Sequence, residues 1–322
     1  MENPFISVII TAYNRKEFIL EALQSAVNQT LKRDKYEIIC IKNFKNAKID
    51  RYIRNNGIIN ILKNQATIGE YLYLATKKSH GEVLVFLDDD DLISKDKLER
   101  VNFVFSRYKI GFYHNSSIQG EKFEDRFSLQ KDNLQIINPA KIKLKEMRIA
   151  TFNLSSIAVK KDILDKHINE LRGIITSPDS FMLLISLIEK SNIFIDNSKY
   201  TFYRLHDKNV SYSKSIEKHL KFNKELELPA LIYQLNLAKA YNSKAAKLFL
   251  KCLVFMTMSA ISIEENNKKE LIKAFTYIPF VMDKKLFKRV LLSILFLLGS
   301  NYPYKRLTRN FNQDKDYSDK RK

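Results

Sequence analysis

"VLVFLDDDDLISKDKLE", residues 83–99, sets five apolar residues directly before four consecutive aspartates. Adjacent carboxylates repel, by about 1 kcal/mol at 4 Å in water and about four times that near a protein surface. The chain as a whole carries a formal net charge of +19, so the cluster runs against its overall balance. Either these acids form a solvated turn, or something cationic offsets their repulsion. The residues before them favour the second reading. "EVLVFL" has the length and composition of a buried strand, which puts the aspartates at its carboxyl end. In open α/β sheets, ligands bind outside the carboxyl ends of the strands.

The same pattern recurs upstream. "FISVIITAY" (5–13), "YEIICI" (36–41) and "INILKN" (59–64) read as three further strands. Between them, Phe18, Ile19, Ala22, Leu23, Ala26 and Val27 recur at helical spacing, with Asn14 expected to cap that helix. "GEYLYLATKKSHG" (69–81) reads as a second helix, expected to stop at its glycine. Strands alternating with helices predict a mostly parallel sheet flanked by helices. Downstream, 95–108 and 177–192 are expected to be helical, 109–115 and 193–213 extended, and the polar stretch 120–142 a loop. From about Lys214 the sequence reads as helical almost to its end.

Composition bounds the function. With 322 residues, 45% apolar and 28% charged, the chain is long enough for one large or two smaller cores. Cys40 and Cys252 lie far apart in apolar runs and read as buried thiols in a reducing, cytoplasmic compartment. The N-terminus has no basic n-region, so no signal peptide is expected. No stretch of about 18 uncharged apolar residues suggests a membrane span. Positive charge is uneven: residues 1–110 carry a net +4, and residues 211–322 a net +12. That basic end admits a peripheral contact with the inner membrane face, or simply a solvated lysine-rich surface. No nucleic-acid motif is present and basic residues are interleaved with acidic ones, so no nucleic-acid partner is expected.

"SVIITAYNR", "FILEALQSAVNQT", "YEIICI" and "GEVLVFLDDDD" together resemble a family 2 glycosyltransferase of the GT-A fold. The resemblance covers roughly residues 5–212. It implies an α/β GT-A domain over 1–212, with a nucleotide-sugar half (1–110) and an acceptor half (111–212), and a helical C-terminal region over 213–322. It implies inverting, metal-dependent transfer from a nucleoside diphosphate sugar to a hydroxyl of a glycan or lipid-linked acceptor. Asp88 and Asp90 match the outer positions of the family's D-x-D motif and would hold Mg²⁺ or Mn²⁺; Asp89 lies between them beside the donor. Hard cations take oxygen ligands, typically one or two carboxylates plus phosphate oxygens, so the aspartate cluster suits a dication meeting a diphosphate.

The resemblance assigns further roles. Asp179, in "SPDSFMLLISL", matches the general base that takes the acceptor's proton. A first-turn aspartate also simply favours the helix dipole. "YRLHDKNVS" (203–211) resembles the segment that closes many GT-A domains, with Arg204 facing the diphosphate and His206 the metal. Thr11, Tyr13 and Arg15 belong to the loop that wraps the nucleotide. Several positions depart from the pattern, among them "EYL" (70–72), which stands where the family commonly has an Ala-Arg-Asn triplet. Pro178 replaces the glutamate before the base, and Lys42 and Asn43 replace two aspartates, one of which usually binds the nucleobase. Asn43 still offers a carbonyl to a ring N–H. These departures leave a second reading open, a catalytically impaired GT-A protein that binds sugar nucleotides or glycans.

Overall fold

The computed structural model describes residues 6–123, 127–128, 134–206, 209 and 215–306. The chain divides into two compact units, Met1–Leu205 and His206–Lys322. The boundary expected at 212 lies outside the described residues.

The first unit is built on strands β1 (Ile6–Ala12), β2 (Tyr36–Lys42), β3 (Ile59–Leu62), β4 (Val83–Asp88), β5 (Leu92–Ile93), β6 (Phe112–Gly120), β7 (Leu134–Ile137), β8 (Ile157–Lys160) and β9 (Ile193–Arg204). They form one sheet in the order β3-β2-β1-β4-β8-β6-β9-β5, with β7 also on β9. The helices are α1 (Ile19–Val27), α2 (Ala47–Asn55), α3 (Ile68–Lys78), α4 (Lys97–Arg107), α5 (Leu144–Ala150), α6 (Lys161–Lys166), α7 (Ile168–Leu171) and α8 (Pro178–Ile188). The first four strands in the order are mutually parallel, and β8 then enters antiparallel to both β4 and β6. The expected α/β architecture is the one observed. All seven residues of β1 are buried, as a strand covered on both faces requires.

Register sets up the site. Thr11 of β1 faces Ile41 of β2 on one side and Asp88 of β4 on the other. The carboxyl ends of three neighbouring parallel strands therefore coincide, where a ligand crevice is expected. Two local expectations need correcting. Asn14 does not cap α1: it sits at φ 58°, its N–H donates to Asn43 Oδ1, and Phe18 starts the helix without a side-chain cap. Gly81 does not end α3, which stops at Ser79. Gly81 lies so close to β1 that a Cβ there would fall 2.5 Å from the Ser7 nitrogen. The polar stretch 120–142 includes β7, paired with β9, and a short turn of helix at Pro139–Lys141.

The second unit comprises helices α9 (Ile216–Phe222), α10 (Leu228–Ala240), α11 (Lys244–Glu264), α12 (Lys268–Ala274) and α13 (Lys284–Leu297). Helix α11 packs against α10, α12 and α13. It is long and apolar enough to cross a membrane, but 61% of its apolar window is buried within the fold, as in a core helix.

Candidate active site

The four aspartates form a tight turn rather than an open loop. Asp88 ends β4, the Asp91 N–H donates to the Asp88 carbonyl at 3.2 Å, and β5 follows at once. Strand β5 pairs antiparallel with β9, Leu92 opposite Phe202, which folds the turn back against the sheet. Asp89, Asp90 and Asp91 are buried as a result, at 1%, 4% and 0% exposure, and Asp88 is half-buried.

Buried acids need partners. The Arg15 guanidinium donates to Asp89 Oδ1 and Asp90 Oδ2. Burial works against the Arg15 charge, but Asp89, Asp90 and Asp88 outweigh it and raise its pKa. Thr11 Oγ1 donates to Asp88 Oδ1 at 3.3 Å, and the Asp88 N–H donates to Ser155 Oγ at 2.9 Å. Asp91 Oδ1 accepts from the Arg204 backbone N–H at 3.0 Å. These partners do not satisfy the cluster. Among the described residues, Asp89 Oδ2 and Asp91 Oδ2 are buried without a hydrogen-bond partner. Protein packed around the Asp88 carboxyl, together with repulsion from Asp90, pushes its pKa up to about 6. Burial pushes Asp89 up to about 8, against the pull of Arg15, and raises Asp91 well above the carboxylate range.

This donor set fits a hard divalent cation. It offers only carboxylate oxygens, crowded in one turn, with Asp88, Asp89 and Asp91 held above the ordinary carboxylate range, a shift that a nearby cation would reverse. No group of three His, Cys, Asp or Glu side chains able to hold a metal occurs among the described residues. A cation here would take one or two carboxylates from the protein and its remaining ligands from phosphate and water.

The other candidate residues fall as follows. Tyr13 is 47% exposed, and its ring lies 6.1 Å from that of Tyr71 in α3, tilted by 54°. Asn43 and Asn14 are tied to each other: Asn43 Oδ1 accepts from the Asn14 N–H, and Asn43 Nδ2 donates to Asn14 Oδ1 at 2.7 Å. Lys42 is buried; its Nζ donates to the Phe44 carbonyl and pairs with Asp50 Oδ1 at 2.7 Å. Arg204 is buried behind the acid turn. Its Nε donates to the Asp90 carbonyl at 2.9 Å, it pairs with Glu21 at 2.7 Å, and its guanidinium lies 4.4 Å from the Phe18 ring centroid. It braces the turn. His206 opens the second unit, with its N–H donating to Asn209 Oδ1 at 2.7 Å.

Asp179 occupies the first turn of α8, half-buried, with Oδ1 accepting from the Ser180 N–H at 2.7 Å. Ser177, two residues before it, takes the left-handed conformation at φ 53°. The loop leading into α8 is pinned to the start of α3, where the Gly69 N–H donates to the Ile174 carbonyl at 2.9 Å. A Cβ at position 69 would fall 2.0 Å from the Leu171 carbonyl oxygen, so only glycine fits. Helix α3 thus connects the Asp179 segment to the Tyr13 loop through Gly69 and Tyr71. Ser177, Asn14 (φ 58°) and Asn153 (φ 65°) place left-handed backbone beside Asp179, Arg15 and Ser155 in turn. Such strain persists only where the surroundings hold it.

Sequence reasoning missed the layer beneath. Lys97, in the first turn of α4, is fully buried; its Nζ donates to the Ser155 carbonyl and, at 3.1 Å, to Thr201 Oγ1. Burial lowers its pKa to about 7, against the pull of Asp91. Ser155 holds the Asp88 N–H, so Lys97 steadies the acid turn through one intermediary. No motif marks either residue.

Residues 7–167 match the family model described as Glycosyl transferase family 2. An uncharacterized glycosyltransferase of Haemophilus influenzae is 26% identical over 216 residues, covering 65% of this chain and 71% of that one. Two further relatives are matched over 16% of their length. Among solved structures, residues 1–349 of Staphylococcus aureus TarS in complex with UDP-GlcNAc superpose with a TM-score of 0.61 at 15% identity, over 96% of this chain and 92% of that one. A mannosyltransferase from Pyrobaculum calidifontis, in complex with GDP-Man and Mn²⁺, gives a TM-score of 0.54 at 14% identity, over 96% and 79%. At these identities the structures show the fold.

Proposed function

Because this chain belongs to glycosyl transferase family 2, with the GT-A fold, we propose that it is an inverting, divalent-metal-dependent transferase. It would move a sugar from a nucleoside diphosphate donor to a hydroxyl of a glycan or lipid-linked acceptor, in the cytoplasm. The supporting observation is the turn of four carboxylates at the coincident ends of β1 and β4, where Asp90 repels the Asp88 carboxyl. In this reading Asp88 and Asp90 hold Mg²⁺ or Mn²⁺, which when bound neutralises charge on the leaving diphosphate. Arg15, which pairs with Asp89 and Asp90, is a cation available to that diphosphate. The exposed Tyr13 ring, backed by Tyr71, offers a face to the nucleobase, and Asn43 with Asn14 offers the polar edge.

Asp179 takes the proton of the acceptor hydroxyl as that oxygen attacks the anomeric carbon. The C–O bond to the diphosphate breaks on the opposite face, which inverts the centre. Arg204 positions the turn through the Asp90 carbonyl.

The departures at Lys42, Asn43 and Pro178 favour a second reading, donor binding without turnover. One screen tests both: UDP-, GDP- and dTDP-sugars incubated with the full chain and Mg²⁺ or Mn²⁺, with and without chelator. Turnover of one donor, lost with chelator, is expected. Binding without turnover would establish the second reading, and turnover indifferent to chelator would remove the metal.

A further inference from the structure

Helix α13 has two apolar faces. One is turned in: Leu286, Leu292, Ser293 and Phe296 are buried, and α13 packs on α11 and α12. Arg289 faces the same way, its pKa lowered by burial against the pull of Glu264. The other face is turned out. Phe287 is 59% exposed, Leu291 47%, Ile294 40% and Leu298 79%. Their spacing of four, three and four residues places them in one stripe along the helix. Phe280, Val281 and Met282, just before the helix in the chain, are exposed as well, and so are Tyr302 and Tyr304 after its end. An exposed apolar stripe of this kind marks an interaction surface.

Charge selects the partner. Lys284 and Lys288 border the stripe, Lys285 is exposed at the same end, and Lys305 and Arg306 are exposed at the other. No acidic residue occurs from 284 to 306. A second copy of this face would set lysines against lysines. Nucleic acid would find no use for four exposed aliphatic and aromatic side chains in a row. A helix of 14 residues is about 21 Å long, short of the roughly 30 Å hydrocarbon core, so it would lie in the plane of a bilayer rather than cross it. We propose that the outer face of α13, with residues 280–282, docks on a membrane surface rich in anionic lipid. The aliphatic stripe would enter the head-group boundary and the basic residues would meet the anionic head groups. The proposal uses no residue of the acid turn, so it holds whether or not Asp179 is the base.

The test is co-sedimentation of the full chain with vesicles of phosphatidylcholine alone and with about one third phosphatidylserine, at low salt. Wild type should pellet with the anionic vesicles and stay in solution with the neutral ones. Phe287→Gln/Leu291→Gln/Leu298→Gln should weaken that binding about tenfold or more, and Lys284→Glu/Lys285→Glu/Lys288→Glu by a similar factor. Both variants alter only exposed side chains, and an unchanged melting temperature would verify their fold. The proposal fails if wild type stays in the supernatant, or if the glutamine variant pellets like wild type. It fails equally if wild type forms a dimer that the glutamine variant abolishes while neither binds vesicles.

Discussion

The first unit buries charge at its strand ends, whereas the second leaves apolar side chains in water. Asp89, Asp90, Asp91, Lys97 and Arg204 are each less than a tenth exposed, while Phe287, Ile294 and Leu298 are at least four-tenths exposed. Both arrangements cost free energy in the isolated chain. The buried charges are crowded within one turn and cross-braced by Arg15, Arg204 and Ser155. That rigidity suits a preorganised site, where groups aimed at developing charge need no rearrangement. The exposed stripe is spread along one helix and braced only on its far side, which suits a broad, soft partner. Departure from the ordinary inside–outside rule therefore supports a different proposal in each unit, chemistry in one and adhesion in the other.

The largest effect is expected at the acid turn. Asp90→Ala should leave no detectable transfer and no metal-dependent donor binding, read by donor turnover and by metal titration. The same change relieves repulsion in a crowded cluster, so the metal-free melting temperature should hold or rise. A variant that turns over normally, still needing metal, would remove Asp90 from the site. Asp179→Asn should follow, with kcat lower by about 10²–10⁴-fold and donor KM unchanged, because the amide cannot accept a proton. Retention of more than about a tenth of the wild-type rate would restrict Asp179 to starting α8.

A smaller effect tests the buried polar layer without touching the acids. His114 is buried on β6, with Nε2 2.8 Å from the Phe152 carbonyl. Burial lowers its pKa to about 4, and Lys97 adds to that against the help of the Phe152 carbonyl. An unfolded histidine titrates near 6.5. Between those values the unfolded chain binds a proton that the folded chain refuses. Stability from this group is therefore complete above about pH 6.5 and is lost as pH falls toward 4. Wild type should lose several degrees more in melting temperature than His114→Gln between pH 7 and pH 5. Parallel melting curves for the two proteins would show that His114 is not held neutral.

Much of the first unit is legible because its signals are local. Continuous apolar runs mark β1, β2 and β4, and the residues at their ends are the candidate ligands. What escapes the sequence is tertiary. Strand β5 has two residues, too few for any pattern, yet its pairing with β9 makes a buried turn of the aspartates. Lys97 sits in a charged stretch, "SKDKLER", where a lysine would ordinarily face water; only the fold places it under Ser155. Asn14 reads as a helix cap and serves instead to hold Asn43. In α13, "VLLSILFLLG" carries apolar residues at every helical phase. The sequence thus leaves two outcomes open, burial in the bundle or exposure at the surface, and the fold divides the run between them.

That division supplies the smallest expected effect. Leu291 and Leu292 are adjacent and identical in chemistry, but Leu291 is 47% exposed and Leu292 is 8% exposed. Glutamine has nearly the helix propensity of leucine, so replacing either leaves the backbone preference almost unchanged. Leu292→Gln would force an amide into the face that packs on α11 and α12, and should cost about 2 kcal/mol or more. Leu291→Gln exchanges one exposed side chain for another and should change stability by no more than about 0.5 kcal/mol. Chemical denaturation of both variants reads the difference directly. Equal losses would mean that both faces of α13 are buried in the folded protein. A near-zero cost at Leu291 would leave that leucine without a part in folding, and its apolar surface free for a partner outside the chain.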